Sequence, residues 1–143
     1  MLNDGNDFEG LKPTRINPAD TEAKHRFVVL FHNHPFGHWD WMFETQGILI
    51  TFRSPPDCLQ ALQSGQPQEW TPLPNHRLHY LDYEGPLTGQ RGAVKKILAG
   101  EFLWLEKQAK SLRLHLASAT LEGVLKIEPD LETQSWLATW KAV

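Results

Sequence analysis

A short segment of the chain, from His32 to Glu44, concentrates side chains of the kind that bind metals. After residue 37, polar and aromatic residues alternate, which is typical of a strand whose side chains point to opposite faces. His38 and Asp40 then share one face, with Cα atoms about 7 Å apart, and the turn before the strand brings His32 alongside them. Two imidazoles and one carboxylate suit a divalent ion such as Mn, Fe or Zn with open coordination positions, which favours catalysis.

The same spacing has simpler interpretations. A histidine and an aspartate two residues apart on a strand also form ordinary hydrogen-bonded surface pairs. His34 in the turn is either a fourth ligand or a solvent-exposed histidine, and Glu44 either orients a ligating histidine or is a surface acid. The residues alone leave these alternatives open.

A second polar and aromatic segment runs from Asn75 to Gly85 and holds two His, two Tyr, one Arg and two acids. Such a segment could place a histidine or arginine on a phosphate and a tyrosine hydroxyl on a neighbouring oxygen. Alternatively, its leucine and tyrosine side chains serve only as core anchors.

The elements around these segments are predicted to be mainly β. Short runs of β-branched, aromatic and leucine residues separated by turn residues indicate a sandwich or a barrel. The expected strands are 27–31, 38–44, 48–53, 93–98, 101–106, 111–117, 121–127 and 135–140, with turns or bulges at Gly47, Gly100 and Gly123. A short helix is expected over 57–64, capped by Asp57. The Pro- and Gly-containing stretch 66–89 predicts a long ordered loop.

Composition limits the possible functions. The chain has 143 residues, a net charge of -3 at pH 7 and one cysteine, Cys58, so an intramolecular disulfide and a cysteine-based zinc site are excluded. The polar, acidic residues 1–22 predict a mobile arm before a single domain at 23–143. Because no apolar run suits a signal peptide or membrane span, a cytoplasmic protein without membrane partners is expected. The acidic balance argues against coating long nucleic acids but permits contact with a strand end.

Together these segments resemble the 3′-phosphoesterase domain of bacterial DNA ligase D, which heals ends in nonhomologous end joining. The stretch from Phe27 to His32 resembles the opening of the family's first motif, and His38 to Asp40 resembles its His-Tyr-Asp triplet. The stretch from Asn75 to Gly85 resembles the second motif, and weaker similarity appears at 88–94 and 111–123. The resemblance extends, in order, over residues 26 to 128.

The resemblance implies a compact, single-domain β-barrel of about seven to eight strands with one or two short helices. It implies a manganese-dependent hydrolase that removes 3′-phosphate or 3′-ribonucleotide ends from DNA or an RNA–DNA primer-template. Because the sequence shows no attached ligase or polymerase domain, a stand-alone member is expected. Its implied partners are the nucleic-acid end and end-joining repair proteins, and a monomer is expected. The implied metal ligands are His32, His38 and Asp40, with catalytic roles for His76, Tyr80 and Glu44.

Two positions depart from the family pattern. Met42 stands where the family has a phosphate-binding arginine, and the turn after the next strand offers Arg53 in place of a lysine. Arg53, Arg77 and Arg91 are therefore the candidate phosphate-binding residues. The missing arginine favours an alternative, a weakened or inactive member that binds nucleic-acid ends or repair proteins. A third class, metal-dependent oxygen chemistry on an organic substrate, would require an apolar cavity.

Overall fold

Antiparallel strands contain most of the residues that the computed structural model describes, 23–143. In chain order the strands are β1 (His25–His32), β2 (His38–Thr45), β3 (Ile48–Ser54), β4 (Gln68–Arg77), β5 (Gly85–Pro86), β6 (Ala93–Gln108), β7 (Ser111–Ser118), β8 (Glu122–Pro129) and β9 (Trp136–Ala142). A helix, α1 (Leu59–Gln63), follows β3, and a 3-10 turn, η1 (Leu78–Leu81), follows β4. Within these residues no helix is long and apolar enough to cross a membrane. The predicted arm at 1–22 lies outside the described residues.

Eight of these strands close into a barrel. They pair in the order β1-β2-β3-β4-β9-β8-β7-β6, and antiparallel pairing between β1 and β6 completes the ring. The two residues of β5 add to β6 next to its first residues. Closure satisfies the strand edges that an open sheet would leave unpaired. The predicted mainly β barrel is therefore confirmed.

The inner faces of the strands form an aromatic core that contains all six tryptophans. In β2, Trp39, Trp41 and Phe43 point inward, as the alternation predicted. The indole of Trp41 lies 4.7 Å from that of Trp70, centroid to centroid, and its Nε1–H donates to the Ser54 hydroxyl at 2.9 Å. This packing fixes β2 and, with it, the residues on its outer face.

A second apolar cluster lies outside the barrel, over β1, β2 and β3. Its buried members are Val28, Leu30, Met42, Leu49, Tyr80, Leu81 and Val94. Residues 78–87, here called the covering segment, supply the outer half of this cluster. The Arg26 guanidinium donates to the Asp82 carboxylate at 2.7 Å, and Glu84 accepts a bond from the backbone N–H of Lys96 at 2.6 Å. These bonds fasten the covering segment to β1 and β6.

The structure differs from the sequence prediction in four places. Gly123 marks neither a turn nor a bulge, because it lies within β8 and pairs in regular register with β7 and β9. The predicted loop at 66–89 contains β4, η1 and β5. The predicted strands at 93–98 and 101–106 are one strand, because Gly100 permits close approach rather than a turn: a Cβ there would lie 2.3 Å from the Ala117 carbonyl oxygen. The helix begins at Leu59, and Cys58 rather than Asp57 occupies the N-cap position, without a side-chain hydrogen bond.

Candidate metal site

The adjoining ends of β1 and β2 bring His32, His38 and Asp40 together on the outer face of the barrel. The two histidines are cross-strand partners, and Asp40 follows two residues along β2. One nitrogen from each ring and one carboxylate oxygen all lie within 4.8 Å of one another. His38 Nε2 is 3.2 Å from Asp40 Oδ1, and His32 Nδ1 is 3.7 Å from Asp40 Oδ2. These three residues are close enough to hold one metal ion.

Backbone carbonyls orient both imidazoles. His38 Nδ1 lies 2.9 Å from the Phe36 carbonyl oxygen, and His32 Nε2 lies 2.7 Å from that of Arg91. Because a carbonyl can only accept, the bonded nitrogen of each ring carries the hydrogen. In a neutral ring the other nitrogen then has a lone pair. When both rings are neutral, His38 Nε2 and His32 Nδ1 therefore present lone pairs towards the Asp40 carboxylate, whereas protonated rings would form ion pairs with it.

Two of these atoms are buried without a hydrogen-bond partner. Within residues 23–143, neither His38 Nε2 nor Asp40 Oδ1 has a donor, and both residues are almost completely buried. Two facing acceptors in a buried position are unfavourable unless a positive centre lies between them. A divalent cation fits, since it binds lone pairs, and carbonyl-bonded histidines are common among metal ligands.

His76, near the end of β4, belongs to the same electrostatic environment. Its Nδ1–H donates to the Pro74 carbonyl at 2.8 Å. Burial lowers the pKa of the His76 imidazole below its ordinary value, and the positive charge of Arg91 acts in the same direction. The Asp40 carboxylate opposes this shift. The role that the resemblance implies for His76, contact with the transferred phosphate, stays a prediction.

Two of the three candidate arginines also lie beside the cluster. Arg53 is the cross-strand partner of Asp40, and its Nε is buried without a hydrogen-bond partner in the described part of the chain. Its guanidinium carbon lies 5.9 Å from the centre of the Phe36 ring. The Arg91 side chain donates to the carbonyl and hydroxyl oxygens of Thr88, while its own backbone carbonyl holds His32. Arg53 therefore brings a cationic group to the cluster from β3, while Arg91 contacts the cluster through its backbone carbonyl.

Glu44 and Arg77 lie away from the cluster. Glu44 Oε1 accepts a bond from the backbone N–H of Arg26 at 3.0 Å. Glu44 lies four positions beyond Asp40 in β2, a distance of roughly 13 Å along a strand. Arg77 is exposed and adjoins His76 on β4, so its side chain points to the opposite face of the strand.

Tyr80 and Met42 are members of the outer apolar cluster. The Tyr80 ring lies 5.4 Å from that of His76, centroid to centroid, and thus packs against a site residue. Met42 shares the outer face of β2 with Asp40, but the covering segment leaves it only 1% exposed. His34 is exposed, its ring 6.4 Å from that of His32, and it is not one of the three clustered residues.

The sequence did not reveal the carbonyls that orient the histidines. A backbone carbonyl gives no residue-type signal, and the Arg91 carbonyl reaches His32 from 59 residues further along the chain. Phe36 was also missed, although an aromatic residue in a turn between two histidines was a usable signal.

No protein-family model matches this chain, and no curated protein matches it in sequence.

Proposed function

We propose that this protein is a metal-dependent phosphoesterase that hydrolyses the 3′-phosphate or 3′-ribonucleotide end of a nucleic acid. His32, His38 and Asp40 are its proposed metal ligands, and Mn²⁺ is the ion that the family resemblance favours. One observation carries the proposal: His38 Nε2 and Asp40 Oδ1 are buried 3.2 Å apart without a hydrogen-bond donor. The carbonyl bonds of both histidines turn their remaining lone pairs to the same point.

The arginines beside the cluster support an anionic substrate. A buried guanidinium N–H without an acceptor is unfavourable, and the Arg53 Nε is in this state. A phosphoryl oxygen would supply the acceptor, and the arginine fork suits phosphate because it offers two parallel donors. An apolar substrate of metal-dependent oxygen chemistry would not need these cations for binding. We therefore favour a phosphoester as the substrate.

A bound divalent ion would polarise a phosphoryl oxygen and lower the pKa of a coordinated water. The chain's own residues perform the remaining tasks. The Phe36 and Arg91 carbonyls keep the two imidazoles in their ligating orientation. His76 commits Nδ1–H to Pro74, which leaves Nε2 to accept a proton from water, or to donate to a phosphoryl oxygen once protonated. Arg53 neutralises the charge that develops on the phosphoryl group.

Met42 favours one alternative, a protein that binds 3′-phosphorylated ends without hydrolysing them. The arginine expected at this position from the resemblance would make a charge-assisted hydrogen bond, worth about 1.5 to 3 kcal/mol. In this chain the side chain at position 42 is apolar and buried under the covering segment. Such a binding module would keep the metal site and lack turnover.

The experiment uses the full chain and a primer-template that ends in a 3′-phosphate, with Mn²⁺ or with EDTA. We expect Mn²⁺-dependent phosphate release by the wild type and none by His38→Ala. The matched control is His115→Ala. His115 also lies beside a carboxylate, 3.6 Å from that of Glu122, but among the described residues no second histidine joins this pair in a possible metal-binding group. This control should keep full activity.

Calorimetric titration with Mn²⁺ separates the possible failures. Circular dichroism first establishes that His38→Ala is folded. Mn²⁺ binding and substrate binding without phosphate release would favour the binding module over the enzyme. If the wild type and His38→Ala bind Mn²⁺ equally, or neither binds it, the metal site is refuted.

A further inference from the structure

An exposed aromatic ring lies beside the candidate metal site. Phe36 is 61% exposed, whereas every other Phe, Trp and Tyr residue of 23–143 is buried or half-buried. Single exposed apolar residues are common and need no explanation by themselves. The position of this ring, rather than its exposure alone, indicates a function.

Phe36 is fixed relative to both a proposed metal ligand and a proposed phosphate-binding cation. Its carbonyl accepts the bond from His38 Nδ1, and its ring meets the His38 ring edge-on at 6.0 Å between centroids. The Arg53 guanidinium lies over the ring at 5.9 Å. With Arg53 on one face, the high exposure of Phe36 leaves the other face to a ligand.

A nucleobase has the chemistry that this ring would recognise. Bases stack on aromatic side chains through their π faces, and this contact tolerates any base. A neighbouring guanidinium strengthens such platforms through cation–π attraction. A phosphate bound by Arg53 and by a metal ion at His32, His38 and Asp40 would bring its own nucleoside next to Phe36. A simple sugar phosphate has no flat group that could stack on the ring.

We propose that Phe36 stacks on the nucleobase of the nucleotide that carries the scissile 3′-phosphate. The protein would then select ends that carry a base over abasic ends, with little preference among the bases. This inference rests on the proposed function, because it assumes that the phosphate binds at the cluster of His32, His38 and Asp40.

The test compares two primer-templates that differ only at the 3′-phosphorylated residue, which is either an ordinary nucleotide or an abasic analogue. We expect Phe36→Ala to lower kcat/KM on the base-bearing end by roughly 5- to 150-fold and to leave the abasic end unchanged. Phe36→Trp should retain the preference. Both Phe36 variants keep the backbone carbonyl that orients His38. The matched control is Leu131→Ala, which changes an exposed residue on the loop between β8 and β9.

Two results would overturn the inference: no loss in Phe36→Ala, or an equal loss on both ends, which would assign the ring a structural role. If the wild type hydrolyses neither end, the proposed hydrolysis fails, and binding decides the inference separately. Calorimetry with Mn²⁺ then compares a nucleoside 3′-monophosphate with ribose 3-phosphate. Tighter binding of the nucleotide that disappears in Phe36→Ala supports stacking, whereas equal or absent binding refutes it.

Discussion

Substituting Gly92 by alanine should disturb the loop that orients His32. Gly92 has a positive φ of 78°, and a Cβ at this position would lie 2.2 Å from Asn33 Oδ1 and 2.8 Å from the Cβ of His34. The Asn33 amide cannot rotate away freely, because its oxygen accepts the backbone N–H of Ala93 at 2.9 Å. The His34 Cβ is attached to the backbone. The segment that contains Gly92 must therefore shift.

The expected magnitude follows from these contacts. A non-glycine residue in a left-handed conformation costs about 1 to 2 kcal/mol, and a lost hydrogen bond costs about 0.5 to 1.5 kcal/mol. The free energy of unfolding should therefore fall by about 1.5 to 3.5 kcal/mol. The shift also displaces the Arg91 carbonyl, which accepts the bond from His32. Loss of such an orienting partner typically lowers metal affinity by about 10- to 100-fold.

Gly47→Ala is the matched control, because Gly47 has a φ of 82° but nothing lies within 4 Å of its added Cβ. Its free energy of unfolding should fall only by the cost of the left-handed backbone conformation, about 1 to 2 kcal/mol. Its Mn²⁺ affinity should stay unchanged. Urea unfolding measures the stabilities and calorimetric titration measures the affinities. Equal stability losses in the two variants, with unchanged Mn²⁺ affinity in Gly92→Ala, would refute the reasoning.

Three further predictions concern Met42, Cys58 and the ion pair between Arg26 and Asp82. Met42→Arg, which restores the residue type of the resembled family, should lower the free energy of unfolding by several kcal/mol because it buries a charge among apolar side chains. Met42→Leu should lower it by less than about 1.5 kcal/mol. Similar urea midpoints for the two variants would contradict the burial of this position. Burial raises the pKa of the Cys58 thiol, so iodoacetamide should label the native protein far more slowly than the urea-unfolded protein, and equal rates would show the thiol to be accessible. The Arg26 guanidinium holds the pKa of Asp82 below its ordinary value. Stabilisation by this pair is therefore present above that ordinary pKa and is lost as the pH falls through the folded-state pKa. The difference in urea midpoint between wild type and Arg26→Ala should narrow on acidification, and a constant difference would contradict this prediction.

The alternation in residues 38–44 was sufficient to predict the two faces of β2. The period of two is a local property of a strand, so Trp39 and Trp41 had to point away from His38 and Asp40. The approach of His32 was predictable for a related reason. A short turn between antiparallel strands places the end of the first opposite the start of the second, and His32 indeed pairs with His38.

The strand β4 could not be predicted because its prolines resemble those of a loop. Pro72 and Pro74 both lie beyond the first three residues of β4, 68–70, which are the residues that pair with β9. In the described part of the chain, the rest of β4 therefore has a strand partner on one edge alone. Proline is tolerated on such an edge because the missing N–H is not needed there. This pairing is set by tertiary structure and leaves no local signal.

The outer apolar cluster was also beyond sequence reasoning. Met42 lies between Asp40 and Glu44 on the outer face, and only the return of the covering segment buries it. That return depends on long-range bonds such as the one between Arg26 and Asp82, which are 56 residues apart. The sequence therefore predicted that His32, His38 and Asp40 lie close together but not that an apolar wall lies beside them.

The two apolar clusters divide the aromatic chromophores of the protein between them. All six tryptophans belong to the inner core, whereas both tyrosines, Tyr80 and Tyr83, lie in the outer cluster or pack against it. Indole emission should therefore monitor the barrel interior, and phenol absorption should monitor the covering segment. Detachment of that segment alone would alter the phenol signal while the indole emission stayed native. Local opening beside the candidate site and global unfolding can thus be distinguished optically, without an introduced label.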